Sequence, residues 1–455
     1  MARRGEGSPD VLLAGSRGFR ERFEYSVALT MARAAVTAHQ ATGALGLRLA
    51  ESHLLCGQLE EDLGDLDAAE AAYLAAAAAA AEPEPLAGCH GIRVRALARL
   101  ASVLRDRGAI AEAGAALADA LASAETNLPG GLEHAEVVAE QSRQLIEHGA
   151  REEAERLARR AVTMAEASPA SAAREETRTR ALSALGTALR VGGRYAEARS
   201  VLQDALESAR AAFGPGSLEA ANALNDLGVC DKFSGRFDEG IEQYRRALAI
   251  FTGTTGLENS NVASLYHNLG GILHARQDFG AAEPWARRAV ELRERRLGPD
   301  HVLVAADRAA LAAILMALRR YDEAEGLLRD ALCCLERAFG AENHDVVANY
   351  GNLAMIARRR GDLEEAERLY RRALDIKERL LGPQHPEVGI TLNNLAVVCR
   401  RRGLPDEAEA LYRRAIDVLS ATVEPTHPAL AASRGNLGKL LNDRGAGEPN
   451  AESRV

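Results

Sequence analysis

One short string returns along this chain at a fixed interval, and no other feature limits the fold so tightly. It reads Gly193-Arg-Tyr195-Ala-Glu-Ala198, then Gly235-Arg-Phe237-Asp-Glu-Gly240, Asp278-Phe279-Gly-Ala-Ala282, Arg320-Tyr321-Asp-Glu-Ala324, Gly361-Asp-Leu363-Glu-Glu-Ala366 and Gly403-Leu-Pro405-Asp-Glu-Ala408. The centres fall at 195, 237, 279, 321, 363 and 405, each 42 residues after the last. Other positions keep the same register. Gly186, Gly228, Gly270, Ala312, Ala354, Ala396 and Gly438 form one column of small residues, and Ala205, Ala247, Ala289, Ala331, Ala373 and Ala415 form another. A fixed period of this length marks stacked supersecondary units rather than one central core.

Each unit reads as two helices. Between 347 and 376, Leu353, Ile356 and Ala357 share one apolar stripe, and Ala366, Leu369, Tyr370 and Ala373 share another. Both stripes have helical spacing. Gly361 stands where a first helix must stop, and Asp362 is placed to cap the second. Aromatic residues make up only 4% of the chain, which disfavours sheets and suits helices packed through Ala and Leu. The expected fold class is all-α, an α-solenoid.

The pattern resembles the tetratricopeptide repeat. Ala354, Ala366, Tyr370 and Ala373 stand where that motif has its small residue, its second-helix alanine, its aromatic and its last alanine. The unit is longer than the usual one, and the linker Gly382-Pro-Gln-His385-Pro-Glu-Val388 makes it similar to the repeats of kinesin light chains and of bacterial proteins with the same long repeats. The resemblance covers about residues 178–443. It implies a right-handed superhelix whose first helices line a concave face that binds peptides or proteins.

Before the regular repeats, Gly149-Ala-Arg-Glu-Glu-Ala154, Gly108-Ala-Ile-Ala-Glu-Ala113 and Gly64-Asp-Leu-Asp-Ala-Ala69 mark three degenerate units with unequal spacing. The expected organisation is a cap helix and degenerate repeats over 17–177, then regular repeats with a C-terminal capping helix over 178–445. That makes roughly nine hairpins plus caps. Phe19 to His39 reads as one amphipathic helix. Residues 1–16 and 446–455 read as disordered, and a hinge over 170–177 competes with an ordinary loop.

The resemblance carries the family's peptide-contacting positions onto one column, two residues before the small residue. It holds Asp226, Asn268, Asn352, Asn394 and Asn436, with Ala184 and Ala310 as exceptions; Asn225, His267 and Asn393 precede it. An amide both donates and accepts, so such a ladder suits an extended backbone. The competing role for these amides is to orient neighbouring helices. Lys232, Arg358, Arg359, Arg400 and Arg401 project from the last turns of first helices, with Arg190 in register. They suit an acidic peptide or a terminal carboxylate, although cations also stabilise a helix C-terminus without any ligand. Ala309, Ala310, Ala313 and Met316 make one repeat apolar, an anchor site or a self-association seam.

Motifs for chemistry are lacking. His267 and His274 lie about 10.5 Å apart along a helix, too far for one metal. There is no H-E-x-x-H, no phosphate-binding loop and no C-x-x-C pair. Cys230 and Cys399 read as core residues, and the linker histidines His301, His344, His385 and His427 as capping or turn residues. Trp285 reads as packing between hairpins. The net charge of −9 gives no support for nucleic-acid binding. No apolar run reaches membrane-spanning length.

The expectation is therefore a cytoplasmic, non-catalytic scaffold or adaptor with a protein or peptide partner and no cofactor, no metal, no nucleic acid and no membrane. A homo-oligomer stays open. The alternatives are a regulator responding to a ligand or signal peptide, and an accessory subunit of a separate enzyme.

Overall fold

The computed structural model describes residues 8–22, 24–42, 46–81, 88–422 and 424–445. They form two compact units, one ending at Leu292 and the other beginning at Arg293. The first holds α1 (Pro9–Glu21), α2 (Tyr25–Ala41), α3 (Leu47–Leu63), α4 (Leu66–Ala79), α5 (Cys89–Asp106), α6 (Ile110–Asn127), α7 (Leu132–Glu147), α8 (Arg151–Ala167), α9 (Ala172–Val191), α10 (Tyr195–Phe213), α11 (Leu218–Phe233), α12 (Phe237–Thr254) and α13 (Ser260–Ala275). The boundary falls inside α14 (Phe279–Leu297). The second continues with α15 (Val302–Ala317), α16 (Tyr321–Phe339), α17 (His344–Arg360), α18 (Leu363–Leu381), α19 (Pro386–Arg401), α20 (Pro405–Thr422) and α21 (Pro428–Gly445).

All regular structure among the described residues is helical, paired into ten hairpins with α21 left single, as an α-solenoid requires. Two expectations near the start are corrected. Phe19 to His39 is not one helix but parts of two, because the chain turns at Arg22 and Glu24 and pairs α1 with α2. Residues 9–16 are helical rather than disordered: Ser8 caps α1 with its side chain, and Leu13 and Ser16 are buried. Ser16 donates to the Ala28 carbonyl at 2.7 Å across the hairpin. Residues 1–7 and 446–455 lie outside the described residues. The stretch 170–177 lies largely in the first turns of α9, which Ser171 caps.

Local chemistry explains the regularity. The stop of each first helix is a left-handed residue at Gly193, Gly235, Gly361 and Gly403. In the same register stand Gln277 (φ 67°) and Arg319 (φ 63°), where the missing glycine costs about 1 kcal/mol. Asp362 accepts a hydrogen bond from the Glu365 amide at 3.1 Å and so starts α18. The first helices from α11 on begin with a second periodic device. Ser217, Asn259, His301, Asn343, His385 and His427 each accept from a backbone amide two or three residues ahead. This confirms the capping role of three linker histidines and explains the fourth. Asn343 holds the cap position, so His344 is displaced outward beside Glu387 at 3.5 Å.

The small-residue columns are where helices of one hairpin touch. A Cβ on Gly228 would lie 2.6 Å from the fully buried Tyr244 ring, and one on Gly57 would meet Tyr73 at the same distance. Tyr412 is equally buried. Removing such a side chain from water stabilises by about 1.5–3 kcal/mol. Cys230 and Cys399 are core residues whose thiols burial pushes up, Cys399 to about 11. Trp285 packs on Tyr266 of its own hairpin, with ring centroids 5.6 Å apart, rather than between hairpins.

Candidate functional site

The six asparagines proposed for peptide contact all lie half-buried on first helices, yet the structure splits them into two kinds. In the first unit, Asn268 Nδ2 donates to Asn225 Oδ1 at 2.8 Å. In the second, Asn436 Nδ2 donates to Asn393 Oδ1 at 3.0 Å. Both pairs join adjacent first helices across an offset of 43 residues. Ser183 meets the Asp226 carboxylate across the same offset and opposes the upward push of burial on it. These amides orient neighbouring helices, and a hydrogen bond between them satisfies part of their capacity.

Asn352 and Asn394 are different. The residues 43 positions earlier are Ala309 and Gly351, whose side chains offer no acceptor. Neither Asn352 nor Asn394 has a side-chain partner among the described residues. Their amides stand in register on α17 and α19 with donor and acceptor both available.

The cations divide in the same way. In the first unit Arg190 and Lys232 approach the Phe233 ring, at 5.0 and 5.5 Å from its centroid. Phe233 is half exposed, so the two cations have an aromatic partner within the chain. Burial and the charge of Arg190 hold the Lys232 ammonium below its ordinary range. In the second unit, Arg358 has no carboxylate within ion-pair distance among the described residues, and its buried Nε has no hydrogen-bond partner. Arg400 likewise leaves its Nε unmet, while one terminal nitrogen lies 3.3 Å from Asp443. Both arginines border the second-helix tyrosines of their hairpins, Tyr370 and Tyr412, whose phenols burial pushes up. Arg401 is turned to the Arg358 carbonyl at 2.9 Å. Arg360 and Arg402 pair with acids of the preceding second helix, Arg360 with Asp322 and Glu325 and Arg402 with Glu364 and Glu367. Ala309, Ala310 and Ala313 are half-buried and Met316 is buried, so the apolar stretch on α15 is shallow.

Sequence reasoning missed the 43-residue offset, because it depends on how first helices lean on one another. Its signal is present in the sequence: a polar residue one position before the amide column in the preceding repeat marks a paired amide, and Ala309 or Gly351 there marks a spare one. No group of His, Cys, Asp and Glu fit to hold a metal ion occurs among the described residues. No helix there is long and apolar enough to cross a membrane.

A family-model match agrees with this architecture. The family model for the tetratricopeptide repeat matches residues 177–253, 261–337, 345–421 and 387–446, more than half of the chain. Among solved structures, BtubC (BKLC) from P. vanneervenii is 22% identical with a TM-score of 0.45, over 51% of this chain and 94% of that one. A putative kinesin light chain from Podosopora anserina, with nearly identical TPR-like repeats, is 21% identical with a TM-score of 0.40, over 44% and 95%. The apo form of RapI is 15% identical with a TM-score of 0.45, over 63% and 98%. No curated protein matches. Repeats of this family generally mediate protein–protein interactions, and by its matched repeats this chain belongs to the tetratricopeptide-repeat family.

Proposed function

We propose that the chain is a protein-binding adaptor whose second unit holds an extended, acidic segment of a partner along α17 and α19. One observation carries this reading: among the described residues, Asn352 and Asn394 lack the side-chain partner that Asn268 and Asn436 have. Two amides one repeat apart bind a peptide backbone without reading its sequence. The guanidinium groups of Arg358 and Arg400, six residues beyond each amide, supply charge for a carboxylate. Building the set on helices preorganises it.

The test is selection from a random peptide library on the full chain, repeated at low and high salt. Enrichment of acidic peptides whose affinity falls with salt is expected. Enrichment of basic or purely apolar peptides, or none at all, would overturn the reading.

A further inference from the structure

A cleft of about 480 Å³ opens in the first unit between segments far apart in sequence. One wall carries Arg20, Tyr25 and Leu55 from α1, α2 and α3, and the other Glu176, Phe213 and Glu219 from α9, α10 and α11. Its volume lies in the range of small-molecule sites. The Arg20 side chain bridges the two walls. Arg20 Nε holds Asp62 at 3.0 Å, and its terminal nitrogen reaches Glu219 at 3.9 Å. Nearby, Asn259 Nδ2 donates to the Asp62 carbonyl at 2.8 Å, and Ser260 Oγ to the Gly64 carbonyl at 2.9 Å.

Charge in this cleft is unevenly met. Glu176 is engaged through Oε1 by Arg99 at 2.6 Å and Arg180 at 3.7 Å. Glu219 has Arg20 as its nearest cation and accepts no hydrogen bond to its side chain among the described residues. Arg20 is therefore shared between two carboxylates, with its close contact given to Asp62. Burial pushes the Asp62 carboxyl up to about 6, against the pull of Arg20 and with smaller help from Glu219 and Glu61. Beside Glu219, the half-buried Phe213 offers a ring to the cleft, with the buried Tyr25 and Leu55 in the wall behind.

We propose that this cleft binds a small organic cation with an apolar body. The ammonium or guanidinium pairs with Glu219, and the apolar body lies against Phe213, with Tyr25 and Leu55 in the wall behind it. A ligand touching both walls stabilises the folded first unit by mass action. The inference rests on first-unit residues alone and is independent of the peptide face on α17 and α19.

Calorimetric titration of the full chain with 2-phenylethylamine, 2-phenylethanol and phenylacetate tests it, because the three differ chiefly in charge. Saturable binding of the amine alone is expected, weakened about tenfold or more by Glu219→Gln. Ala173→Leu narrows the cleft without touching its charges and is expected to weaken binding; it decides the matter if Glu219→Gln fails to fold by circular dichroism. Equal binding of the neutral or anionic compound, no saturable binding of the amine, or amine binding unchanged in the folded variants would overturn the proposal.

Discussion

The two units use arginine differently. In the first, Arg99 is buried among Glu136 at 2.9 Å, Glu176 at 2.6 Å and Glu61 at 3.7 Å, carboxylates drawn from three other helices. In the second, several surface arginines bridge to the preceding hairpin, as Arg360 does to Glu325 and Arg402 to Glu367. A buried pair, Arg293 with Asp307, stands near the second unit's start. The reach of the contacts differs as well. In the first unit, Asn259 and Ser260 bond to residues 197 and 196 positions away. The described side-chain hydrogen bonds of the second unit span at most 43 residues, as Arg401 to Arg358 does. Strict repetition favours neighbour-only stacking, whereas the irregular N-terminal hairpins allow the chain to meet itself.

The largest expected consequence is at Arg99. Arg99→Ala leaves three carboxylates short of their cation and is expected to destabilise the first unit by about 3–5 kcal/mol. The single tryptophan, Trp285, lies in that unit and reports its unfolding by fluorescence, while circular dichroism follows both units. Arg402→Ala removes only a surface pair and is expected to cost the second unit under about 1 kcal/mol, with the fluorescence transition unmoved. Equal effects from the two substitutions would erase the distinction.

A smaller effect separates the units by pH. Burial pushes Asp62 up to about 6, against Arg20 and reinforced by Glu219 and Glu61. A carboxyl raised in the folded state costs stability when ionised, and that cost is relieved as pH falls from about 6 toward 4. Glu176, held down to about 2 by Arg99, Arg180, Arg20 and Arg95 against the opposing cost of burial, contributes stability above its ordinary 4.5 that is lost on further acidification. The fluorescence midpoint in urea is therefore expected to rise between pH 7 and 5 and then fall. In the second unit, Glu325, Glu367 and Glu387 are held down by cations at the surface. Its transition is expected to stay level from pH 7 to 5. A level fluorescence midpoint over that range would contradict the account of the first unit.

Much of this was legible beforehand. The 42-residue period, the paired helices, the Gly361 stop and the Asp362 cap depend on neighbours in sequence, and each is found as read. The turn between α1 and α2 was not, since Arg22 and Glu24 carry no glycine or proline and the apolar spacing runs through them. The residues proposed for peptide contact were correctly placed on first helices, but a column groups positions that are alike and not partners that meet. Pairing of Asn268 with Asn225 requires the lean of α13 on α11, which periodicity does not carry. The meeting of Ser260 with Gly64 has no periodic signal at all.

The most direct measurement is the affinity of one selected acidic peptide for two folded double variants side by side. Asn352→Ala/Asn394→Ala is expected to weaken binding about tenfold or more with its melting temperature unchanged, and Asn225→Ala/Asn268→Ala to lower the melting temperature with affinity retained. Loss of affinity in the second variant with retention in the first would contradict the account.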